Sequence, residues 1–118
     1  MRVALTAALP GLPGTDYELN YSDEAPGLYS LQSASAQGTR LHLLDAGALP
    51  SYTPSLPSED LAQLELTGPP LVLLIASIHS GVLTLNLMAP IILNTVTGAG
   101  AQVILDGDYP LRAAFTDC

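Results

Sequence analysis

The side chains able to do chemistry in this chain are few. There are two histidines, His42 and His79, one cysteine, Cys118, and eleven Asp and Glu residues against three arginines and no lysine. Nucleophilic catalysis needs a Ser or Cys beside a base and a third group to orient that base. His79 is followed by Ser80 and Gly81, a tight-turn sequence that faces solvent. In "TRLHLLD" (Thr39 to Asp45), Arg40 and His42 fall on one face and Leu41 and Leu43 on the other. That is the setting of a surface or interface histidine. No G-x-S-x-G occurs. Two distant histidines and a terminal cysteine lack the spacing of metal ligands. Asp106-Gly107-Asp108 has the start of a calcium loop but none of its later ligands, and it reads as a turn. "TGAGAQ" (Thr97 to Gln102) is glycine-rich, yet it has no lysine and opens a strand, so it is no phosphate loop. The inventory points away from an enzyme, a cofactor and a metal, and toward binding.

The carboxylates are what remains, and they give a net charge of −8. Phosphate binding needs clustered positive charge, so nucleic acid is a poor direct partner. An anionic membrane surface is disfavoured for the same reason. A basic protein is the partner that this charge favours. The alternative is that acidity only keeps an apolar domain soluble. With 48% apolar and 12% charged residues, the chain can build a core.

The segments that must position these groups are short. Ten glycines and ten prolines divide 118 residues, which favours one all-β domain over a helical bundle. Strands are expected at Arg2 to Leu9, Tyr17 to Ser22, Leu28 to Ala34, Thr39 to Asp45, Leu71 to His79 and Gln102 to Asp106. The Leu71 to His79 run is apolar enough to be covered on both sides. Gly47 to Pro57 reads as an extended connection. "PSEDLAQLEL" is the one helix expected, with Ser58 as N-cap and Glu59 and Asp60 in the first turn. No apolar run approaches the ~20 residues of a membrane-spanning helix. The N-terminal run Val3 to Leu9 is at the short end for a signal peptide and stops at Pro10-Gly11. A cytoplasmic location is the expectation.

"LTLNLMAPIILNT" (Leu83 to Thr95) is the most ordered pattern. Its odd positions, Leu83, Leu85, Leu87, Ala89, Ile91 and Leu93, are all apolar, so that face is expected to be core. As one straight strand it would span roughly 43 Å, longer than the ~35 Å diameter of a domain this size. It must bend. Pro90 lacks an N–H and belongs at an edge or bulge. Asn86 is expected to hydrogen-bond backbone beside the bend, letting one strand serve two parts of a curled sheet.

Four motifs occur in order: "GLPG" (Gly11 to Gly14), "LYSLQSA" (Leu28 to Ala34), "LTLNLMAPIILNT", and "QVILDGDYPLR" (Gln102 to Arg112). Together they resemble the FliW family of bacterial flagellar assembly factors, whose members carry GLPG, Y-W-L-Q-S, N-L-x-A-P-I-x-I-N-T and Q-V-I-L before D-Y. The C-terminal half carries the more specific match. Thr15 stands where the family has an aromatic and Ser30 where it has Trp, and the loop before Gln102 is neutral rather than basic. The resemblance implies a single flattened antiparallel β-barrel with one short helix and no enzymatic activity. It implies two protein partners, flagellin and CsrA, an RNA-binding repressor of translation, which compete for the barrel. The alternative is a structural or oligomer-forming β-barrel without those partners. A docking surface for a basic protein should use acids on turns and at the helix start. Those are Asp23, Glu24, Glu59, Asp60, Asp106 and Asp108, with Tyr109 as aromatic anchor. Family members usually carry one further N-terminal strand. Its absence is expected to open the barrel and to favour a homo-oligomer joined at strand edges near the N-terminus.

Overall fold

The computed structural model describes residues 1–9, 14–23, 25–34 and 40–117. Among these residues nine strands follow the chain: β1 Arg2–Leu5, β2 Asp16–Tyr21, β3 Leu28–Ser33, β4 Arg40–Asp45, β5 Leu71–His79, β6 Val82–Leu85, β7 Ile91–Leu93, β8 Ala99–Gln102 and β9 Ala113–Ala114. Among the described residues a single short α-helix, α1, spans Ser58–Gln63. Seven strands close a barrel in the order β4-β3-β2-β1-β8-β7-β5, with β5 returning to β4. β6 and β9 extend outward from β5. The extents are 34 × 33 × 25 Å, so the barrel is flattened.

Alternation along the strands sorts side chains into the barrel and out of it. Val3, Tyr17, Leu31, Leu43, Leu73, Ile91 and Leu93 meet inside and are all but inaccessible. Two further clusters lie on the outer surface of the sheet. Leu44, Leu49, Leu74 and Leu85 form one, and Leu64, Ile92, Val103 and Leu105 the other. The connection from Ala46 and the helix α1 cover them. The chain is therefore two layers thick on this side, which is why β5 is buried on both faces at Leu73 and Leu74. The cover ends before the strand does: Ser77, Ile78 and His79 are exposed. Arg40 and His42 are exposed while Leu43 is inside, as alternation requires.

The expected long strand is interrupted. β6 and β7 both pair with β5, but Leu85 faces Ala76 while Ile91 faces Leu73. Two residues of β5, Leu74 and Ile75, thus oppose five, Asn86 to Pro90. This is a large, irregular bulge of three surplus residues, with Pro90 inside it. Asn86 organises it: Oδ1 accepts hydrogen bonds from the N–H groups of Met88 at 3.1 Å and Ala89 at 3.0 Å. The three surplus residues are an odd number, so they invert the facing. Leu85 lies in an outer cluster, whereas Ile91 and Leu93 lie inside the barrel. The expectation of one continuous core face fails here, and Leu83 is 40% exposed.

Four other expectations are corrected. β1 ends at Leu5 rather than Leu9. The helix is entered through Pro57, and Ser58 makes no capping bond; a proline at that position already sets the backbone for entry. The strand expected at Gln102 to Asp106 lies earlier, at Ala99–Gln102, because the turn before it falls at Asn94 to Gly98, closed by Gly98 N–H donating to Asn94 O at 2.8 Å. Past Gln102 the chain still follows β7's side, with Val103 N–H donating to Pro90 O and Leu105 N–H to Met88 O. Finally, the barrel is not open near the N-terminus. β1 pairs with β2 on one edge and in parallel with β8 on the other. β1 is thus paired on both sides and offers no free edge for strand-edge association.

Candidate functional site

The outer clusters carry the most site-like surface, and Tyr52 joins them. Its ring packs against both clusters. Its hydroxyl donates to Leu87 O, in the bulge, at 2.7 Å. Tyr109 meets it edge-on, with ring centroids 5.9 Å apart at 82°. Burial, with the Tyr109 hydroxyl adding to it, pushes the Tyr52 phenol up to about 12. It is a permanently neutral donor at physiological pH. Beside this pair opens a cavity of about 440 Å³, lined among others by Leu49, Tyr52, Leu87, Tyr109, Pro110 and Arg112.

The expected partner-binding residues are divided by the fold. Asp106 and Asp108 are exposed on the bend that leads into half-buried Tyr109. Gly107 between them has φ +114°, a conformation that suits glycine. Glu59 is exposed and Asp60 half-buried in the first turn of α1. Leu61 of α1 and Tyr109 pack on the same outer cluster. Asp23 is exposed on the β2–β3 connection. Gly27, in the same connection, lies near Asp45 and Ala48, outside that cluster. Glu24 lies outside the described residues. Among the described residues the only salt bridge joins the Met1 ammonium to Glu18 at 2.9 Å. None of the described candidate acids forms a salt bridge with a described cation.

His79 is exposed on the β5–β6 hairpin, and His42 on the outside of β4. Among the described residues no cluster of His, Cys, Asp or Glu could hold a metal. Every buried side-chain polar atom described has a hydrogen-bond partner. No described helix is long and apolar enough to cross a membrane.

Reasoning from sequence missed Tyr52 and Asn94. Asn94 is 3% exposed. It accepts from the N–H groups of Val96 and Thr97, and its amide nitrogen donates to Leu64 O at 2.9 Å. It thus ties the end of α1 to the β7–β8 turn. A lone amide ending an apolar run was the available signal. For Tyr52, in a proline-rich connection, there was none.

The comparisons with known proteins agree with this architecture. A sequence model of the FliW protein matches residues 2–115. The flagellar assembly factor FliW of Desulfitobacterium hafniense strain DCB-2 is 32% identical, over 86% of this chain and 74% of that protein. FliW of Syntrophus aciditrophicus is 36% identical, over 81% of this chain and 65% of that protein, just under two thirds of its length. A crystal structure of the flagellar assembly factor FliW superposes with a TM-score of 0.83 at 26% identity, covering 96% of this chain and 84% of that one. The match in sequence runs through nearly every strand of the barrel, and the match in fold is as extensive; the chain belongs to the FliW family.

Proposed function

We propose that this barrel is a flagellar assembly factor that binds flagellin and antagonises CsrA by sequestering it. The family match over residues 2–115 carries the reading. In this scheme the two partners compete: flagellin occupies the barrel until it is exported, and the freed barrel then withdraws CsrA from messenger RNA. The barrel acts in the cytoplasm, without a cofactor, and touches neither nucleic acid nor membrane. Charge supports CsrA as the second partner, because a lysine-free protein of net charge −8 suits a basic RNA-binding one. The surface bearing Glu59, Asp60, Asp106 and Asp108 is the docking site we assign, with Tyr109 as its aromatic anchor; Asp23 and its sequence neighbour Glu24 are the remaining candidates.

Exposed acids at a rim mainly speed encounter, and salt screens them over about 8–10 Å. Surface plasmon resonance with purified CsrA should therefore show association slowing as salt rises, while dissociation changes less. Adding flagellin to the preformed complex should release CsrA. If neither partner binds, the barrel has a structural role and the acidity serves solubility.

A further inference from the structure

Between Leu66 and Leu105 the chain has no Asp, Glu, Lys or Arg. The β5–β6 hairpin belongs to this uncharged stretch and bears apolar surface: Ile78 is 73% exposed and Val82 46%. Ile78 pairs with Leu83 and Ala76 with Leu85, so these four side chains share one face. The face continues sideways, because Ala76 also pairs with His42, and Leu44 with Leu28. A groove of about 230 Å³ runs over it, lined among others by Leu28, His42, Leu44, Ala76, Leu83 and Leu85. Ile78 stands at the edge of that groove. A knob and a hole therefore lie side by side on one sheet face.

We propose that this face is a self-association surface whose occupant is a second copy of the chain, related by a two-fold axis. Shape is the first argument. A knob adjacent to a hole is self-complementary, so each Ile78 can enter the partner's groove in the same arrangement, and the contact closes at two. Charge is the second. Two molecules of net charge −8 repel each other over most of their surface, and the groove lining contains no carboxylate. Meeting through this face keeps the acids out of the contact. Edge pairing is the weaker route, since the outer edge of β6 already meets β9 at Thr84 and Leu85. The apolar area is small, so the dimer is weak and populated only at high protein concentration. Apolar contact opposed by net charge has a distinctive signature: salt should strengthen it, the reverse of its effect on association with a basic partner.

Sedimentation velocity of the full chain tests this without any partner. At roughly millimolar protein, where weak interfaces are populated, the wild type should show a reversible dimer that grows with salt. Ile78→Glu should weaken it by about tenfold or more, the scale of losing one anchor side chain, with an unchanged melting temperature. Val96→Glu is the control. Val96 is 80% exposed at the β7–β8 turn, and the added charge there should leave the dimer largely intact. A wild type that stays monomeric overturns the proposal and leaves the face to a different apolar protein. So does a dimer that survives Ile78→Glu, or one that Val96→Glu abolishes equally.

Discussion

Two asparagines and a tyrosine hold the irregular backbone that the barrel requires. In Asn86→Ala the N–H groups of Met88 and Ala89 lose their acceptor, which should cost about 1–3 kcal/mol. Partner affinity, measured on the folded fraction, should hardly change. A large binding loss at constant melting temperature would make Asn86 a contact residue instead. Asn94→Ala should cost at least as much, because it strands both the β7–β8 turn and the Leu64 carbonyl in a buried site. For Tyr52 the expected signal is spectroscopic. Its phenol ionises near 12 when folded, against about 10 in an unfolded chain. The unfolded state therefore loses this proton first as pH rises. Tyr52's contribution to stability is whole below pH 10 and is lost between about 10 and 12. An ultraviolet titration of wild type against Tyr52→Phe should show one phenol missing from the late-titrating group. Loss of an early-titrating phenol would contradict the assignment.

At the scale of elements, the parallel β1–β8 seam decides whether the barrel closes. Gly98 has φ +82°, and a Cβ there would strike the Arg2 carbonyl oxygen. At Gly100 a Cβ would strike Leu93 and come within 2.9 Å of Leu5. Gly98 is needed because the β1 backbone approaches where a side chain would stand, whereas at Gly100 that space is filled by the Leu93 and Leu5 side chains. Gly98→Ala should cost about 2 kcal/mol or more, combining a forbidden conformation with overpacking, and hydrogen exchange should rise first in β1. Uniform exchange with an unaltered melting temperature would show that the seam tolerates the methyl. The helix end offers the opposite change. Glu65 follows α1 with φ +51°, a left-handed conformation costly for any residue but glycine. Glu65→Gly should raise stability by about 1 kcal/mol, read from chemical denaturation.

For the whole molecule, charge is partitioned: the acids lie outside the segment Leu66 to Leu105. Reversing Asp106 and Asp108 together should weaken CsrA binding more than reversing Asp16 and Glu18. The first pair flanks the aromatic anchor, whereas Glu18 is already paired with the Met1 ammonium. Equal effects of the two reversals would mean that only net charge matters. Much of this organisation can be read directly along the chain. Closely spaced Gly and Pro implied short strands, alternation sorted Leu41 and Leu43 from Arg40 and His42, and Pro90 required a bend. The candidate surface was half legible. Acids on turns are visible as such, but Tyr52, which seats Tyr109, lies 57 residues before it (109 − 52) in a connection without pattern.

What the sequence determined by itself was local: that short strands alternate with turns, that the Leu83 to Thr95 run must bend, and that the chain is acidic, lysine-free and patterned like FliW. These follow from period, turn chemistry and residue type, each settled within a few positions. What only the tertiary structure decided was which face is which. Three surplus residues after Leu85 invert the facing of β7, and whether that parity matters depends on the register against β5, a partner strand elsewhere in the chain. Closure was equally non-local. Counting strands suggested an open edge, yet the barrel closes because Gly98 and Gly100 let β1 lie against β8. A ring of hydrogen bonds is a property of strand ends meeting in space, and no single segment specifies it.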